Sequence, residues 1–516
     1  MRTAELEPPR QTDAPRPQEM FDGDDTAPAG RLRGIVGAIL APVLFATMLL
    51  LPFPSLSPEA HRLAAIMAAV VVLWVTEALP MPVTAVMGAA ACVLLRVAPA
   101  KEVFAPFADP LMFLFIGSFI LARAITLHGL DRRLAFRVLS MKWVGASPAR
   151  ILFAFGAVTA FISAWISNTA TTAMMFAIGL AILTFMAKSE RAEGRRLHPQ
   201  YATALMLMTS FAASIGGLAT PIGTPPNVIG LGFMRQLVGV EFPFFRWMMI
   251  GVPIVIVLFL ILFTYLNRAG RGGAMDLAGS AAMLRRESDA QGRWTRGEVS
   301  TVAAFATTIA LWVIPGFAAL VFGDASAEYK AISSRIPEGV AAIVGASMLF
   351  VLPGNQNGRA IEWHEAAKID WGIVLLYGGG FALGVLSFQT GLAETMGRGL
   401  IEFLPASSGI GLLIASTVMA VLVSEVTSNT ASANMVVPVV ISIAVAAGAD
   451  PLEPALGATL GASLGFMLPV STPCNAIVYG SGYIPIGRMM RYGVVLDVAG
   501  VIVIVTMVRL LVPLIR

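Results

Sequence analysis

A short polar motif occurs twice in this chain, each time in the middle of a long apolar stretch. The first copy reads SNTATTAMM from Ser167, and the second reads SNTASANMV from Ser428, 261 residues later. A helix that crosses a bilayer has no reason to place Ser, Asn and Thr together at mid-depth, because their polar groups and any broken backbone need partners there. The repeat therefore predicts two related halves, each with an interrupted helix at membrane depth.

A proline-containing sequence follows each copy of the motif. GTPPN begins at Gly223 in the first half, and STPCN begins at Ser471 in the second, 248 residues later. Proline removes a backbone donor and ends or breaks a helix. Each half thus combines one polar interruption with one proline break.

Composition places the chain in a membrane. It is 57% hydrophobic and 13% charged, with 49 glycines and 32 prolines in 516 residues, whereas soluble domains have about 25% charged residues. The formal charge of +4 comes mostly from arginines in loops, so it indicates orientation in a bilayer rather than a nucleic-acid partner. No nucleophile elbow, HExxH motif or Cys/His cluster is present, so we do not expect an enzyme.

The apolar pattern predicts an all-α polytopic protein with about 11 transmembrane helices and two re-entrant hairpins. Residues 1–30 are polar and proline-rich and are expected to be a disordered cytoplasmic tail. The predicted divisions are N-terminal spans over 31–108, a first repeat over 109–267, a cytoplasmic loop over 268–298, two spans over 299–352 and a second repeat over 353–516.

Each predicted repeat contains a hairpin and a broken helix. The hairpins are expected over 147–187 and 407–447, and the broken helices over 201–238 and 453–483. Basic residues flank both ends of the first hairpin, which favours entry and exit on one face. A single tilted span is the alternative, but nearly 40 residues is about twice the length that a bilayer requires. Residues 131–142 and 391–404 are predicted to be helices lying in the interface.

The two halves are expected to be inverted relative to each other. Five predicted crossings separate the hairpins, so the second hairpin must open to the face opposite the first. Glu402 and Asp450 near the second hairpin replace the arginines near the first. This parity predicts an inverted-topology repeat with a cytoplasmic N-terminus and an external C-terminus.

The chemistry of the motif suits a cation beside an anion. Hydroxyl, amide and carbonyl oxygens are hard ligands for Na⁺, and backbone N–H groups at helix starts attract carboxylates. The alternative is that these residues only join helices through hydrogen bonds. Two copies, each paired with a proline break, favour the binding interpretation.

Five stretches in order resemble the divalent-anion/sodium symporter (DASS) family, whose INDY-like members carry Krebs-cycle dicarboxylates. The stretches are TEALPMPVTA from Thr76, ISNTATTAMM from Ile166, GTPPN from Gly223, TSNTASANM from Thr427 and FMLPVSTPCNAIVYGSG from Phe466. The resemblance covers residues 60–515 and implies a homodimer with scaffold and transport domains that works by elevator-type alternating access.

The resemblance also implies the binding residues. The first sodium site would use Ser163, Ser167, Asn168 and Gly223, and the second Ser424, Thr427, Asn429 and Ser471. The substrate would meet Asn168, Thr169, Thr224, Pro225, Asn429, Thr430, Thr472 and Pro473. Cys474 stands where family members often have proline, which bears on the rigidity of that loop.

Three acidic residues in apolar segments invite separate interpretations. Glu77 lies in the family signature outside the expected site, and a structural bond is favoured over transport. Glu425 is equally compatible with a cation or proton partner and with a cap on the second tip. Asp497 is expected to pair locally rather than to transport.

The sequence thus predicts a multi-pass transporter of the cytoplasmic membrane. We expect it to import succinate, malate and fumarate with two or more Na⁺ ions per cycle. A dicarboxylate exchanger independent of Na⁺ and a sodium/sulfate-type symporter remain alternatives.

Overall fold

The computed structural model describes residues 28–144, 147–192, 198–270, 278–323, 326–355, 358–401 and 409–515. Of the predicted N-terminal tail, residues 1–27 lie outside this part of the chain. Residues 28–30 are already helical, because the first helix begins at Pro28. Proline is favoured in the first helical turn, where its missing N–H would have no partner.

The described chain is built from helices joined by short connections, as predicted for the fold class. The helices before the first motif form one group by position. They are α1 (Pro28–Leu50), α2 (Pro58–Thr76), α3 (Met81–Leu94), α4 (Ala100–Phe104), α5 (Pro110–Leu127) and α6 (Leu130–Leu139).

The first hairpin and its broken helix follow, and then a set of helices that connects the halves. They are α7 (Pro148–Ser163), α8 (Asn168–Ala192), α9 (Pro199–Gly216), α10 (Pro225–Phe233), α11 (Phe244–Ala269), α12 (Ala278–Ala290), α13 (Arg296–Phe322), α14 (Ala327–Arg335), α15 (Glu338–Leu349) and α16 (Trp363–Ala366).

The second half repeats the order of the first. Its helices are α17 (Trp371–Gln389), α18 (Leu392–Ile401), α19 (Gly409–Val426), α20 (Asn429–Ala446), α21 (Leu452–Gly461), α22 (Pro473–Tyr479) and α23 (Ile486–Ile515). The series α5 to α11 therefore corresponds, helix for helix, to α17 to α23.

Equivalent positions in the two halves share local devices. Asp109 and Asp370 accept backbone N–H bonds at the starts of α5 and α17. Gly129 and Gly391 end these two helices with φ values of +68° and +79°, a left-handed conformation that glycine adopts without steric cost. Each glycine turns the chain into a short amphipathic helix, α6 or α18, in the segments predicted to lie in the interface.

Eleven described helices are long and apolar enough to cross a membrane. The number equals the prediction, but the membership differs. The arms α8, α19 and α20 of the hairpins qualify by length, whereas α3 and α15 are too short, and the broken helix predicted over 453–483 is two short helices, α21 and α22.

Both predicted hairpins are present as pairs of helices that turn at the motifs. The first runs over α7 and α8 and the second over α19 and α20. A single tilted helix through either motif is excluded, since residues 164–167 and 427–428 are not helical.

The predicted cytoplasmic loop 268–298 is partly helical. Its helix α12 packs against α6 and α8, and Arg132 Nη2 lies 3.4 Å from Glu287 Oε2. The short helix α14 was not predicted, because its nine residues have little apolar periodicity. Residues 402–404 of the predicted interfacial segment 391–404 lie outside the described residues.

The buried core runs through the hairpins and broken helices of both halves. Residues 201–216 of α9 are buried along the whole helix. The rings of Phe244 and Trp312 stack with centroids 4.3 Å apart and join α11 to α13. By contrast, α1 exposes Leu32, Ile39 and Leu50, as expected for a helix in contact with lipid.

Candidate functional site

The first hairpin turns over at its polar tip. Helix α7 ends at Ser163, and α8 begins five residues later at Asn168. Ser163 Oγ lies 2.7 Å from Asn168 Oδ1, and Ser167 Oγ accepts a bond from Ala170 N at 3.3 Å. Ser167 is therefore an N-cap, and the tip presents the free N–H groups of the first turn of α8.

The side-chain amide of Asn168 points at the first proline loop. Its Oδ1 position lies 3.1 Å from Ala213 O and 3.2 Å from Gly223 O as well as close to Ser163 Oγ. A nitrogen at this position would donate to these oxygens, whereas an oxygen would complete a cluster of four. Amide orientation follows from the hydrogen-bond network. A bound cation would favour the orientation that turns the oxygen inward.

Three further bonds order the proline loop and tie it to the tip. Asn227 Nδ2 donates to Gly217 O at 2.9 Å and to Thr220 O at 2.8 Å. Thr220 Oγ1 donates to Ala164 O at 2.5 Å. These bonds supply partners for backbone carbonyls that the broken helix leaves free.

The second half builds the same arrangement. Ser424 Oγ lies 2.8 Å from both Asn429 Oδ1 and Ala462 O, and Asn429 Nδ2 donates to Ser463 O at 3.3 Å. Asn475 Nδ2 donates to Gly465 O and Leu468 O, both at 2.9 Å. Each of these loop residues is 248 positions after its counterpart in the first half.

Some of the predicted sodium ligands lie together at the tips, and others do not. Ser163, Asn168 and Gly223 come together, whereas Ser167 caps α8. In the second half, a Cβ on Gly465 would lie 3.4 Å from Ser424 Oγ, 3.5 Å from Asn429 Oδ1 and 3.4 Å from Ser471 Cβ. These three side chains therefore surround one glycine.

Two predicted second-site ligands turn their hydroxyls elsewhere. Thr427 Oγ1 donates to Val423 O at 2.7 Å within its own helix. Ser471 Oγ lies 2.5 Å from Glu425 Oε2 and 3.0 Å from Glu425 O. The oxygen chemistry of both sites fits Na⁺, since hydroxyls, amides and carbonyls are hard neutral ligands.

The predicted substrate residues lie at four helix starts. Thr169 and Pro473 are exposed, and Asn168, Pro225, Asn429 and Thr430 are half-buried. Thr224 and Thr472 are buried, and Thr472 Oγ1 accepts from Asn475 N at 3.1 Å. The buried threonines therefore shape the loops, while the exposed residues are accessible to a ligand.

The two halves interlock at these starts. Helix α8 of the first half packs against α22 of the second, and α10 of the first packs against α20 of the second. Ser210 Oγ donates to Asn475 Oδ1 at 2.6 Å, and the Cys474 thiol lies beside the Thr169 and Thr172 hydroxyls. Each motif thus lies beside the proline loop of the other half.

The acidic residues separate into one exposed and two buried groups. Glu77 ends α2 with φ +52° and is exposed. Glu425 Oε1 accepts from Met467 N at 2.8 Å, so Glu425 joins the second tip to the proline loop. Asp497 faces Glu425, and neither of its oxygens has a hydrogen-bond partner among the described residues.

Several residues near the site were not predicted. Gly217 and Gly465 contact the two motif asparagines, and both stand six residues before the loop residue, Gly223 or Ser471. That shared spacing was a usable signal. An ion pair between Asp109 and Arg235 links the start of α5 to the end of the broken helix, and no local pattern indicates it.

Comparisons with known proteins extend over almost the whole chain. A family model described as "Sodium:sulfate symporter transmembrane region" matches residues 33–515. A sodium-dependent dicarboxylate transporter, SdcS, of Staphylococcus saprophyticus is 33% identical over 485 residues, which cover 93% of this chain and 91% of the relative. SdcS of Staphylococcus aureus USA300 is 33% identical over 487 residues, with 93% and 92% covered.

Two solved transporters share the fold at low sequence identity. MtrF of Neisseria gonorrhoeae, described among antimetabolite efflux pumps, aligns with a TM-score of 0.54 and 12% identity over 95% of this chain and 96% of MtrF. YdaH of Alcanivorax borkumensis aligns with a TM-score of 0.50 and 12% identity over 94% and 98%. Both likenesses concern the fold alone.

Proposed function

Because the chain belongs to the sodium:sulfate symporter family, that is, to the divalent-anion/sodium symporters, we propose that it is a sodium-coupled dicarboxylate symporter. One observation carries the proposal. Equivalent clusters of neutral oxygens lie at the tips of the two hairpins, and each tip lies beside the proline loop of the other half. The relatives named sodium-dependent dicarboxylate transporters support both the ion and the substrate class.

The residues have distinct roles in this proposal. Na⁺ would be held by Ser163, Asn168 and the Gly223 carbonyl at one tip, and by Ser424, Asn429 and the Ser471 carbonyl, the counterpart of Gly223, at the other. Neutral ligands leave each bound ion with its full positive charge. The dicarboxylate would then meet a Na⁺ and helix N–H groups at each end, so that cation and anion lower each other's desolvation cost.

Succinate, malate and fumarate fit the two-fold arrangement because each has one carboxylate for each tip. Citrate would be transported more weakly. Sulfate is the second candidate, since the family description names it, but it has no second carboxylate to place at the second tip. A Na⁺-independent exchanger would need a fixed cation, and neither motif nor proline loop contains Lys, Arg or His.

The transport cycle would move the interlocked tips as one body. The hairpins and broken helices form the transport domain, and α1–α3, α5, α13, α15 and α17 form the scaffold of a homodimer. Alternating access would then be of the elevator type, with two or more Na⁺ ions per cycle. The protein would lie in the bacterial inner membrane with its N-terminus in the cytoplasm and its C-terminus outside.

Uptake of radiolabelled succinate by proteoliposomes tests the function. We expect uptake that requires an inward Na⁺ gradient and that excess malate inhibits. Unchanged uptake after replacement of Na⁺ by K⁺ or choline would contradict the coupling. Inhibition by sulfate but not by malate would instead assign the inorganic anion.

A further inference from the structure

A pair of buried acids lies behind the tip of the second hairpin. Glu425 on α19 is 2% exposed and Asp497 on α23 is 6% exposed. Helices α19 and α23 pack against each other, and the two carboxyl groups face one another. Two carboxylates in contact within a buried region repel strongly unless a cation accompanies them.

Glu425 is firmly held in place. Its Oε1 accepts a bond from Met467 N at 2.8 Å, and its Oε2 lies 2.5 Å from Ser471 Oγ. Each oxygen keeps a further lone pair for another ligand, because an ionised carboxylate can accept about four bonds.

Asp497 provides the second, independent observation. Neither Oδ1 nor Oδ2 has a hydrogen-bond partner among the residues that the structure describes. The Glu425 carboxyl and the backbone of Phe466 lie beside it, in positions that fall short of the geometry of a hydrogen bond. Native proteins rarely leave both oxygens of a buried carboxylate unused, because the burial of such a group is costly unless a ligand or a proton compensates it.

Charged side chains on the packed helices are engaged elsewhere or lie toward helix ends. Glu453 of α21 bonds Arg509 at 3.0 Å, Arg488 of α23 bonds Thr203 at 3.3 Å, and Tyr492 lies against Tyr265 of α11. The remaining charged groups on α11 and α23 are Arg246, Arg268 and Arg491. Within the described part of the chain, no side chain is hydrogen-bonded to either oxygen of Asp497, and Glu425 takes bonds from Met467 N and Ser471 Oγ.

The first half has no acidic residue at either equivalent position. By the repeat, Glu425 corresponds to Ala164, three residues before its motif. Helix α11 corresponds to α23 through Gly251 and Gly493, which approach the Leu218 and Phe466 carbonyls respectively. That register matches Asp497 to Val255. The fold therefore does not require acids at these positions.

We propose that Glu425 and Asp497 bind a further Na⁺ ion, distinct from the two ions at the motifs. The proposal rests on the proposed sodium coupling, because the same ion gradient would fill the site. Carboxylate oxygens are hard ligands that suit Na⁺, and one ion would offset the repulsion between the acids. Ser471 contacts Glu425 and belongs to the second motif site, so occupancy of the two sites would be linked.

Asp497→Asn tests the site, with Asp497→Val as the residue of the other half. Glu453→Gln is the control, since it removes a neighbouring acid that already pairs with Arg509. The first measurement is the rise in melting temperature of the purified full chain with NaCl, against choline chloride and without substrate. The second is the number of ²²Na⁺ ions taken up per succinate in proteoliposomes.

We expect Asp497→Asn to raise the half-maximal Na⁺ concentration at least fivefold and to remove one Na⁺ per succinate. The control should match wild type in both measurements, and equal melting temperatures in choline would show that each variant folds. Wild-type stoichiometry and Na⁺ dependence in both Asp497 variants would overturn the proposal. So would an effect that depends on pH alone, since the pair would then hold a proton.

The proposed function and this site fail in different ways. If Na⁺ stabilised neither wild type nor variants and did not drive uptake, the sodium coupling itself would be wrong and this site would fall with it. If Na⁺ coupling held but Asp497 variants behaved as wild type, only the further site would be wrong.

Discussion

The two halves of the molecule build the same tip from the same residue types and then differ in the layer behind it. Both place a serine hydroxyl beside the motif asparagine, at 2.7 Å in the first half and 2.8 Å in the second. Behind these tips, the first half has Ala164 where the second has Glu425. The tip is thus a shared requirement, whereas the charge behind it belongs to one half.

The halves also reach the same result by different residues. The carbonyl three residues before each motif accepts a bond from its proline loop. Thr220 Oγ1 donates to Ala164 O at 2.5 Å, and the single proton of Ser471 Oγ is shared between Glu425 O at 3.0 Å and Glu425 Oε2 at 2.5 Å. These donors stand at different positions of the loop. Both halves keep this carbonyl hydrogen-bonded, because a buried carbonyl without a hydrogen-bond partner is costly.

The largest expected effect comes from removing the asparagines that the halves share. Asn168→Ala and Asn429→Ala each delete a proposed oxygen ligand and an amide donor, at a cost of about 1–3 kcal/mol per unpaired group. We expect apparent affinities for Na⁺ and succinate to fall together, by roughly tenfold or more in each variant. Uptake is measured against each concentration at matched protein levels.

Wild-type curves for both asparagine variants would mean that the motifs only pack helices. A large effect in one variant and none in the other would show that the two tips are not functionally equivalent, despite their shared geometry.

The glycines beside the asparagines should separate the halves. A Cβ on Gly217 would come within 2.5 Å of Asn168 Oδ1, whereas one on Gly465 would stay 3.5 Å from Asn429 Oδ1. Gly217→Ala must therefore displace the first ligand, and Gly465→Ala fits at ordinary contact distance. We expect a rise in the Na⁺ concentration for half-maximal uptake of about tenfold for Gly217→Ala, about 1.4 kcal/mol, and little change for Gly465→Ala.

Each glycine variant is the control for the other, because both add one methyl group at equivalent positions. Similar losses of Na⁺ affinity in the two variants would contradict this difference. They would show that the wider space around Gly465 closes during transport.

A smaller effect concerns a hydrogen bond that only one half possesses. Ser210 donates to Asn475, but its counterpart by the repeat is Ala458, and Asn227 Oδ1 has no partner in the described structure. Ser210→Ala should lower stability by about 1–3 kcal/mol, while Ala458→Ser should raise it by about 0.5–1.5 kcal/mol. Thermal unfolding in detergent measures both.

Stability changes of opposite sign in these two variants would confirm that the amide oxygen of the loop asparagine is hydrogen-bonded in one half and not in the other. Destabilisation by Ala458→Ser would show instead that the first half has no room for the hydroxyl.

The smallest effect lies outside the membrane spans, at the short helix α16. Glu365 bonds Lys368 and Arg123, both at 2.5 Å, and these partners lower its pKa from 4.5 to about 2. A lowered pKa adds stability that is fully present above pH 4.5 and is lost as the pH falls toward 2. The counterpart of Arg123 in α17 is Gly384, so the second half lacks this pair.

Glu365→Gln should therefore lower the melting temperature slightly at pH 7, and the difference from wild type should shrink by pH 3. Glu362→Gln, a neighbouring and more exposed acid, is the control. A difference that grew on acidification would contradict the assigned partners.

Local patterns were sufficient to predict the helices, the two interruptions and the repeat. Hydropathy and proline placement depend on residues within one turn or one span, so the hairpins and broken helices could be read from the chain. The number of spanning helices was predicted correctly, but not which helices they are, because length alone cannot distinguish a hairpin arm from a crossing. Helices α12 and α14 were missed because their polar surfaces have no apolar period.

The sequence by itself determined the pairing of each Ser-Asn-Thr motif with a proline break, and with it the class of ligand. Only the tertiary structure decided which oxygens complete each tip, that each motif lies beside the other half's loop, and that Glu425 meets Asp497 across 72 positions. The reason is physical: backbone breaks and hydropathy are properties of neighbouring residues. A binding site is instead made by helices that pack together although they are far apart in the chain.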